Sequence, residues 1–115
     1  MHFITETGRS GIYIFDGDRN TLVGNTVVKS EDIGILSFDG AGSNEILNNI
    51  VQDSRIVGVR IGGGEGNIVR NNILNNSGGN GIAIRLGSKQ TIVIANTVTD
   101  NGEVSQVILC LPFYI

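Results

Sequence analysis

Short apolar bursts recur along this chain at nearly even spacing, separated by glycine and asparagine. From Gly11 the sequence reads GIYIFDGDRNTLVGNTVVKSEDI and from Gly34 GILSFDGAGSNEILNNIVQDSRIV. From Gly58 it reads GVRIGGGEGNIVRNNILNNSGGN and from Gly81 GIAIRLGSKQTIVIANTVTDNGE. The leading glycines are 23, 24 and 23 residues apart. Asn25, Asn49, Asn72 and Asn96 mark a second fixed point, each preceding a Thr-Val, Ile-Val or Ile-Leu pair. From each of the first three asparagines to the next leading glycine is nine residues, whereas glycine to asparagine takes 14, 15, 14 and 15. One side of the unit is fixed in length and one turn absorbs an insertion, as in the coil of a solenoid.

Period-two alternation marks the first strand of each unit. Ile12 and Ile14, Val59 and Ile61, and Ile82 and Ile84 share one face, with Tyr13, Arg60 and Ala83 on the other. Ile35 follows the pattern, but Ser37 stands where the second apolar residue belongs. A second strand centres on Leu22, Ile46, Val69 and Val93, and a third begins at Thr26, Ile50, Ile73 and Thr97. The turns between them are too short for a crossover helix. Successive coils therefore stack, each strand pairing in parallel with its equivalent about 4.8 Å away.

The predicted fold class is all-β: a single-stranded parallel β-helix of about four coils, with aliphatic ladders in the lumen and an asparagine ladder at one bend. Asparagine suits a sharp corner because it tolerates the left-handed region and bonds to nearby backbone. Placed inward, its amide also reaches the asparagine of the next coil and satisfies polar groups that are costly to bury bare. An antiparallel sandwich with Asn-Gly turns is the competing fold. Its loops would not preserve a nine-residue spacing three times.

The repeat domain spans residues 1–109, with units beginning near 11, 34, 58 and 81, and residues 110–115 form a tail that breaks the pattern. His2 falls in the asparagine column, with Phe3 and Thr5 expected at the inward positions that follow it. Neither end carries an amphipathic capping helix, and an open parallel edge is a pairing hazard. The expectation is a piece of a longer β-helix, or a short stack that covers its ends by self-association.

Composition agrees with this picture. The chain has 17 Gly, 13 Asn, 17 Ile and 11 Val, which disfavours helix and favours short strands and tight turns. Net charge is -3 with 8 dispersed basic residues, which offers no stripe for nucleic acid. No apolar run is long enough to span a membrane as a helix, and the N-terminus lacks the features of a signal peptide. The lone Cys110 excludes an intrachain disulfide and leaves the compartment open.

The G-I-x-I…N-x-I-x-x-N-x-I units resemble the repeats of the right-handed parallel β-helix superfamily over residues 2 to 109. The superfamily includes pectate lyases, polygalacturonases, alginate lyases, mannuronan C5-epimerases and phage tailspike depolymerases. The Asn-rich coils are most similar to the segment shared by the epimerases and the periplasmic accessory protein of nitrous-oxide reductase maturation. The resemblance implies a right-handed coil, an extracellular or periplasmic setting, and a long acidic polysaccharide bound across one parallel sheet. Chemistry there needs a group to neutralise the uronate, a base for the C5 proton and an acid on the sugar. The Asp-Pro-His sequence of the epimerases is absent, and the single histidine is His2.

The acidic candidates for catalysis are Asp16, Asp18 and Asp39. Asp16 and Asp39 share a register in successive Phe-Asp-Gly turns, where they would pair as acids or hold a hard cation such as calcium. The plainer reading is a turn held by Asp through its own backbone, and Gly63 interrupts the column in the following coil. No other cofactor is called for. Tyr13, Arg60 and Arg85 are the carbohydrate-binding candidates, since an outward tyrosine and arginines suit ring stacking and carboxylate bridging. Isolated surface arginines are also ordinary solubility residues. Glu31, Asp32, Asp53, Ser54 and Arg55 are expected to face solvent in the fixed-length turn. Gly62-Gly63-Gly64 lacks the Lys-Ser/Thr and the following helix of a phosphate loop.

Three functions fit: a polysaccharide-directed module related to epimerases or lyases, a structural segment that assembles with further coils or chains, and an accessory protein for periplasmic metalloenzyme maturation. The isolated chain is expected to show no substantial turnover.

Overall fold

A computed structural model describes residues 3–5, 8–38, 41–85, 88–102, 106–108 and 113–114. The chain enters with β1 (Phe3–Thr5) and then winds through coils of three short strands. The first coil holds β2 (Ile12–Phe15), β3 (Thr21–Val23) and β4 (Thr26–Val28). The second holds β5 (Ile33–Phe38), β6 (Glu45–Leu47) and β7 (Ile50–Gln52). The third holds β8 (Val57–Gly62), β9 (Ile68–Arg70) and β10 (Ile73–Asn75), and the fourth β11 (Ile82–Ile84), β12 (Thr91–Ile94) and β13 (Thr97–Thr99). β14 (Gln106–Ile108) and β15 (Phe113–Tyr114) follow.

Among the described residues, every strand pairs in parallel with its equivalent one coil away, which makes three five-stranded sheets. The first-strand sheet runs β2-β5-β8-β11-β14, the second β3-β6-β9-β12-β15, and the third β1-β4-β7-β10-β13. Register follows the repeat: Ile12 lies beside Ile35, Ile35 beside Val59, and Val59 beside Ile82. The inward residues of all three sheets meet in one core that includes Val27, Ile46, Val51, Val59, Ile61, Leu74 and Ile84. Ser37 is also inward and fully shielded, in the file of Ile14, Ile61 and Ile84, and its hydroxyl has no hydrogen-bond partner among the described residues.

The β1 register corrects one expectation. Phe3 pairs with Thr26, so the inward place opposite Val27 belongs to Ile4, which packs against the core. An odd offset from the asparagine column is outward and an even one inward, because side chains alternate along a strand.

The asparagine ladder forms as expected. Asn25, Asn49 and Asn72 each donate Nδ2–H to Oδ1 of the asparagine in the following coil, at 3.1, 3.1 and 3.0 Å. Asn49 uses its amide fully: Oδ1 also accepts the Asn25 backbone N–H, and Nδ2 also donates to the Leu22 carbonyl. The left-handed backbone, however, belongs to the residue before each ladder asparagine. Gly24, Asn48, Asn71 and Ala95 have φ of 71°, 55°, 58° and 57°. The preceding residue makes the bend, which leaves the asparagine free to point along the solenoid axis.

A second ladder lies in the turn between first and second strands. The Asn20 N–H donates to Asn44 Oδ1 at 2.8 Å, and the Asn44 N–H to Asn67 Oδ1 at 3.0 Å. Buried Thr91 takes the next place. The insertion is thereby confined to the few residues before these positions.

The leading glycines answer a close approach. A Cβ at Gly34 would stand 2.3 Å from Val51 Cγ1 and 2.6 Å from the Gly58 carbonyl oxygen. No helix among the described residues is long and apolar enough to cross a membrane.

Candidate functional site

The outer face of the first-strand sheet carries side chains that the core does not need. Alternation turns two files outward. Tyr13, Leu36, Arg60 and Ala83 form one, and Phe15, Phe38, Gly62 and, one residue past β11, Arg85 the other. Tyr13, Phe15 and Phe38 are about half exposed, at 51%, 57% and 46%. The Tyr13 and Phe15 rings lie 5.9 Å apart, tilted by 38°. Phe38 rests across Gly62, where a Cβ would come within 2.7 Å of its Cδ1. The missing side chain gives the ring its seat.

A wall rises beside this face. The fixed-length bend brings Arg9, Ser10 and Asp32 next to Tyr13 and Leu36, and together they line a cleft of about 270 Å³. Ile33, Val57 and Ala83 pack with Leu36 into a small apolar cluster outside the lumen. Asp32 is therefore half-buried at the cleft, and Ser54 is buried, where solvent exposure was expected of both. The signal in the sequence was the apolar residue just before a leading glycine, Ile33 and Val57, which a solvent-facing turn would not carry.

Arg60 is half-buried in its file. Burial lowers its pKa below the usual arginine range, nearby Arg85 lowers it further, and Asp32 opposes both. Its Nε is shielded from water and has no hydrogen-bond partner among the described residues. Two guanidinium groups thus share one stretch of the face, and their forked donors suit a planar anion. Of the carbohydrate-binding candidates, Tyr13, Arg60 and Arg85 do share this face.

Of the acidic candidates, the structure describes Asp16 and Asp18, both in turns. Asp16 is exposed at a left-handed φ of 53°, in keeping with a turn role. Asp18 is also exposed, and its Oδ1 accepts the Gly42 N–H at 2.9 Å, a turn contact to the next coil. Asp39 lies outside the described residues, as do His2 and Cys110. Among the described residues, no group of three or more His, Cys, Asp or Glu is placed to hold a metal ion.

The family model described as "Right handed beta helix region" matches residues 2–104. The chain belongs to the right-handed β-helix family. Two solved structures, both of the periplasmic alginate epimerase AlgG, share this β-helix fold. A point mutant aligns with a TM-score of 0.65 and 15% identity, covering 96% of this chain and 40% of the other. A double mutant gives 0.69 and 14%, covering 96% and 38%. At such identities the likeness is one of fold, and this β-helix spans about two-fifths of those chains. No curated protein matches it.

Proposed function

We propose that this β-helix is a polysaccharide-binding module that holds an acidic glycan along the outer face of its first-strand sheet, without turning it over. One observation carries the reading: exposed Tyr13 and Phe15 share a rigid face with Arg60 and Arg85, beside a cleft floored by Leu36. Aromatic rings offer stacking surface to a sugar's apolar face, and arginines offer forked donors to its carboxylates. The fold shared with an epimerase supports a uronate-containing ligand and a periplasmic or extracellular setting.

Calorimetric titration with alginate and pectate fragments, with and without calcium, tests the binding. Saturable binding that weakens in Tyr13→Ala and Arg60→Gln is expected, and absence of binding by the folded chain defeats the reading. Following unsaturated product by absorbance and C5 inversion by NMR tests the second half. Sustained turnover would show that a catalytic set exists.

A second reading, assembly with further coils or another chain, is favoured by unpaired strand edges. Among the described residues, β2 and β3 have a pairing neighbour on one side only. Beside them lies a cavity of about 390 Å³, lined by Ile12, Ile14 and Leu22 among others. Such an edge is a template for another strand. Sedimentation across a concentration series tests this reading: growth to dimers or chains supports it, and a monomer throughout removes it.

A further inference from the structure

The outer face of the second-strand sheet has a pattern of its own. Two files point outward from β3, β6, β9 and β12: Thr21, Glu45, Ile68 and Ile92 in one, and Val23, Leu47, Arg70 and Ile94 in the other. Val23, Ile92 and Ile94 are exposed, and Leu47 and Ile68 are half-buried. The aliphatic residues run diagonally. Val23 and Leu47 are neighbours in one file and Ile68 and Ile92 in the other, so a band crosses the sheet between the second and third coils. Glu45 flanks the crossing on one side, next to Leu47 on β6, and Arg70 on the other, next to Ile68 on β9. At about 4.8 Å per rung and about 3.3 Å per residue, the two are rooted about 8 Å apart. Neither makes an ion pair among the described residues.

We infer that this face docks a second copy of the chain, across a two-fold axis that follows the aliphatic band. It lies on a different sheet from the glycan face and stands independently of that reading. A two-fold interface sets one patch against itself, so each flank of the axis meets the opposite flank of the other copy. Glu45 of each copy then faces Arg70 of the other, and band packs on band. An axis along the strands would set Glu45 on Ile68 and Arg70 on Leu47, and an axis along the solenoid would exchange those two contacts. Either way both charges are shielded without a partner, which is costly, so the diagonal pattern selects the oblique arrangement. Contiguous apolar area rimmed by polar groups is characteristic of protein contacts. The face is small beside the roughly 800 Å² per partner of a standard interface, so the dimer is weak, with a Kd of about 50 µM.

Sedimentation velocity on the whole chain over a concentration series tests this, with circular dichroism confirming that each variant is folded. The chain is expected to pass from monomer to dimer and to stop there. Glu45→Arg and Arg70→Glu each set like charges against one another at both contacts, so each alone should weaken the dimer at least about tenfold. Mixed one to one, the two variants face opposite charges again and should form a heterodimer about as tight as the original. Such rescue between molecules is open neither to an effect within one chain nor to pairing at strand edges. Arg55→Glu, exposed in the fixed-length bend, controls for the change in net charge and should leave the dimer intact. A chain that stays monomeric up to about 1 mM, well above the expected Kd, overturns the inference. So does a dimer that both charge variants leave unchanged, or a mixture that fails to recover. Open growth that the charge variants do not touch belongs to strand-edge assembly and also overturns it. Flotation of a monomeric chain with phosphatidylcholine vesicles would give the face to a membrane instead.

Discussion

The two faces of β8 obey different rules. Inward, Val59 and Ile61 are fully shielded, and from β2 to β11 their equivalents are Ile or Val except at Ser37. Outward, the file through Arg60 changes at each step, from tyrosine to leucine to arginine to alanine. Stacking imposes this difference. An inward residue touches its own equivalents above and below, so its size is fixed by theirs. An outward residue meets solvent or a ligand and is free to differ. In a stacked coil, repetition marks what holds the fold, and departure from repetition marks what the surface can do.

Substitutions separate the two faces, and the largest effect is expected at the ladder. Asn49→Ala removes two acceptor contacts and two donor contacts at once, among them the acceptor of the buried Asn25 N–H. A loss of about 3 to 5 kcal/mol in urea unfolding is expected. Gly34→Ala drives a methyl against Val51 and the Gly58 carbonyl, for an expected loss of about 2 to 3 kcal/mol by the same measurement. Ser37→Ala works in the opposite direction. It removes a buried hydroxyl that has no partner among the described residues, so a gain of about 1 kcal/mol and a higher Tm are expected. Tyr13→Ala, on the outer face, should move stability by no more than about 0.5 kcal/mol while weakening glycan binding. A large loss of stability there would mean that the outer file also holds the coil, and the contrast between faces would fail.

The architecture was legible because the sequence repeats it four times. Glycine and asparagine at constant separation fixed which residues stack, and alternation then assigned Tyr13 and Arg60 to the outside. The second ladder was legible too, through a signal left unread: Asn20, Asn44 and Asn67 stand five residues before Asn25, Asn49 and Asn72. The bend conformation was misassigned because sequence shows where asparagine recurs but not which of two adjacent residues turns the backbone. Gly24 and Ala95 do that work as readily as Asn48 and Asn71. The cleft was least visible. Its wall comes from Arg9 and Asp32, brought beside Tyr13 and Leu36 by chain reversal, and no local pattern announces that neighbourhood. Asp16 and Asp18 drew attention as carboxylates, and the structure places both in turns.

The asparagine ladder hands over its hydrogen bonds in one direction, each coil donating to the one that follows. Every junction is therefore interchangeable with every other. A duplication or excision of one whole unit leaves each surviving rung with the kind of partner it had before, whereas a shift of one residue at that bend breaks the register. Inheritance can thus edit this molecule in whole coils, and each coil gained or lost lengthens or shortens the outer platform by one rung, with side chains that the lumen does not dictate.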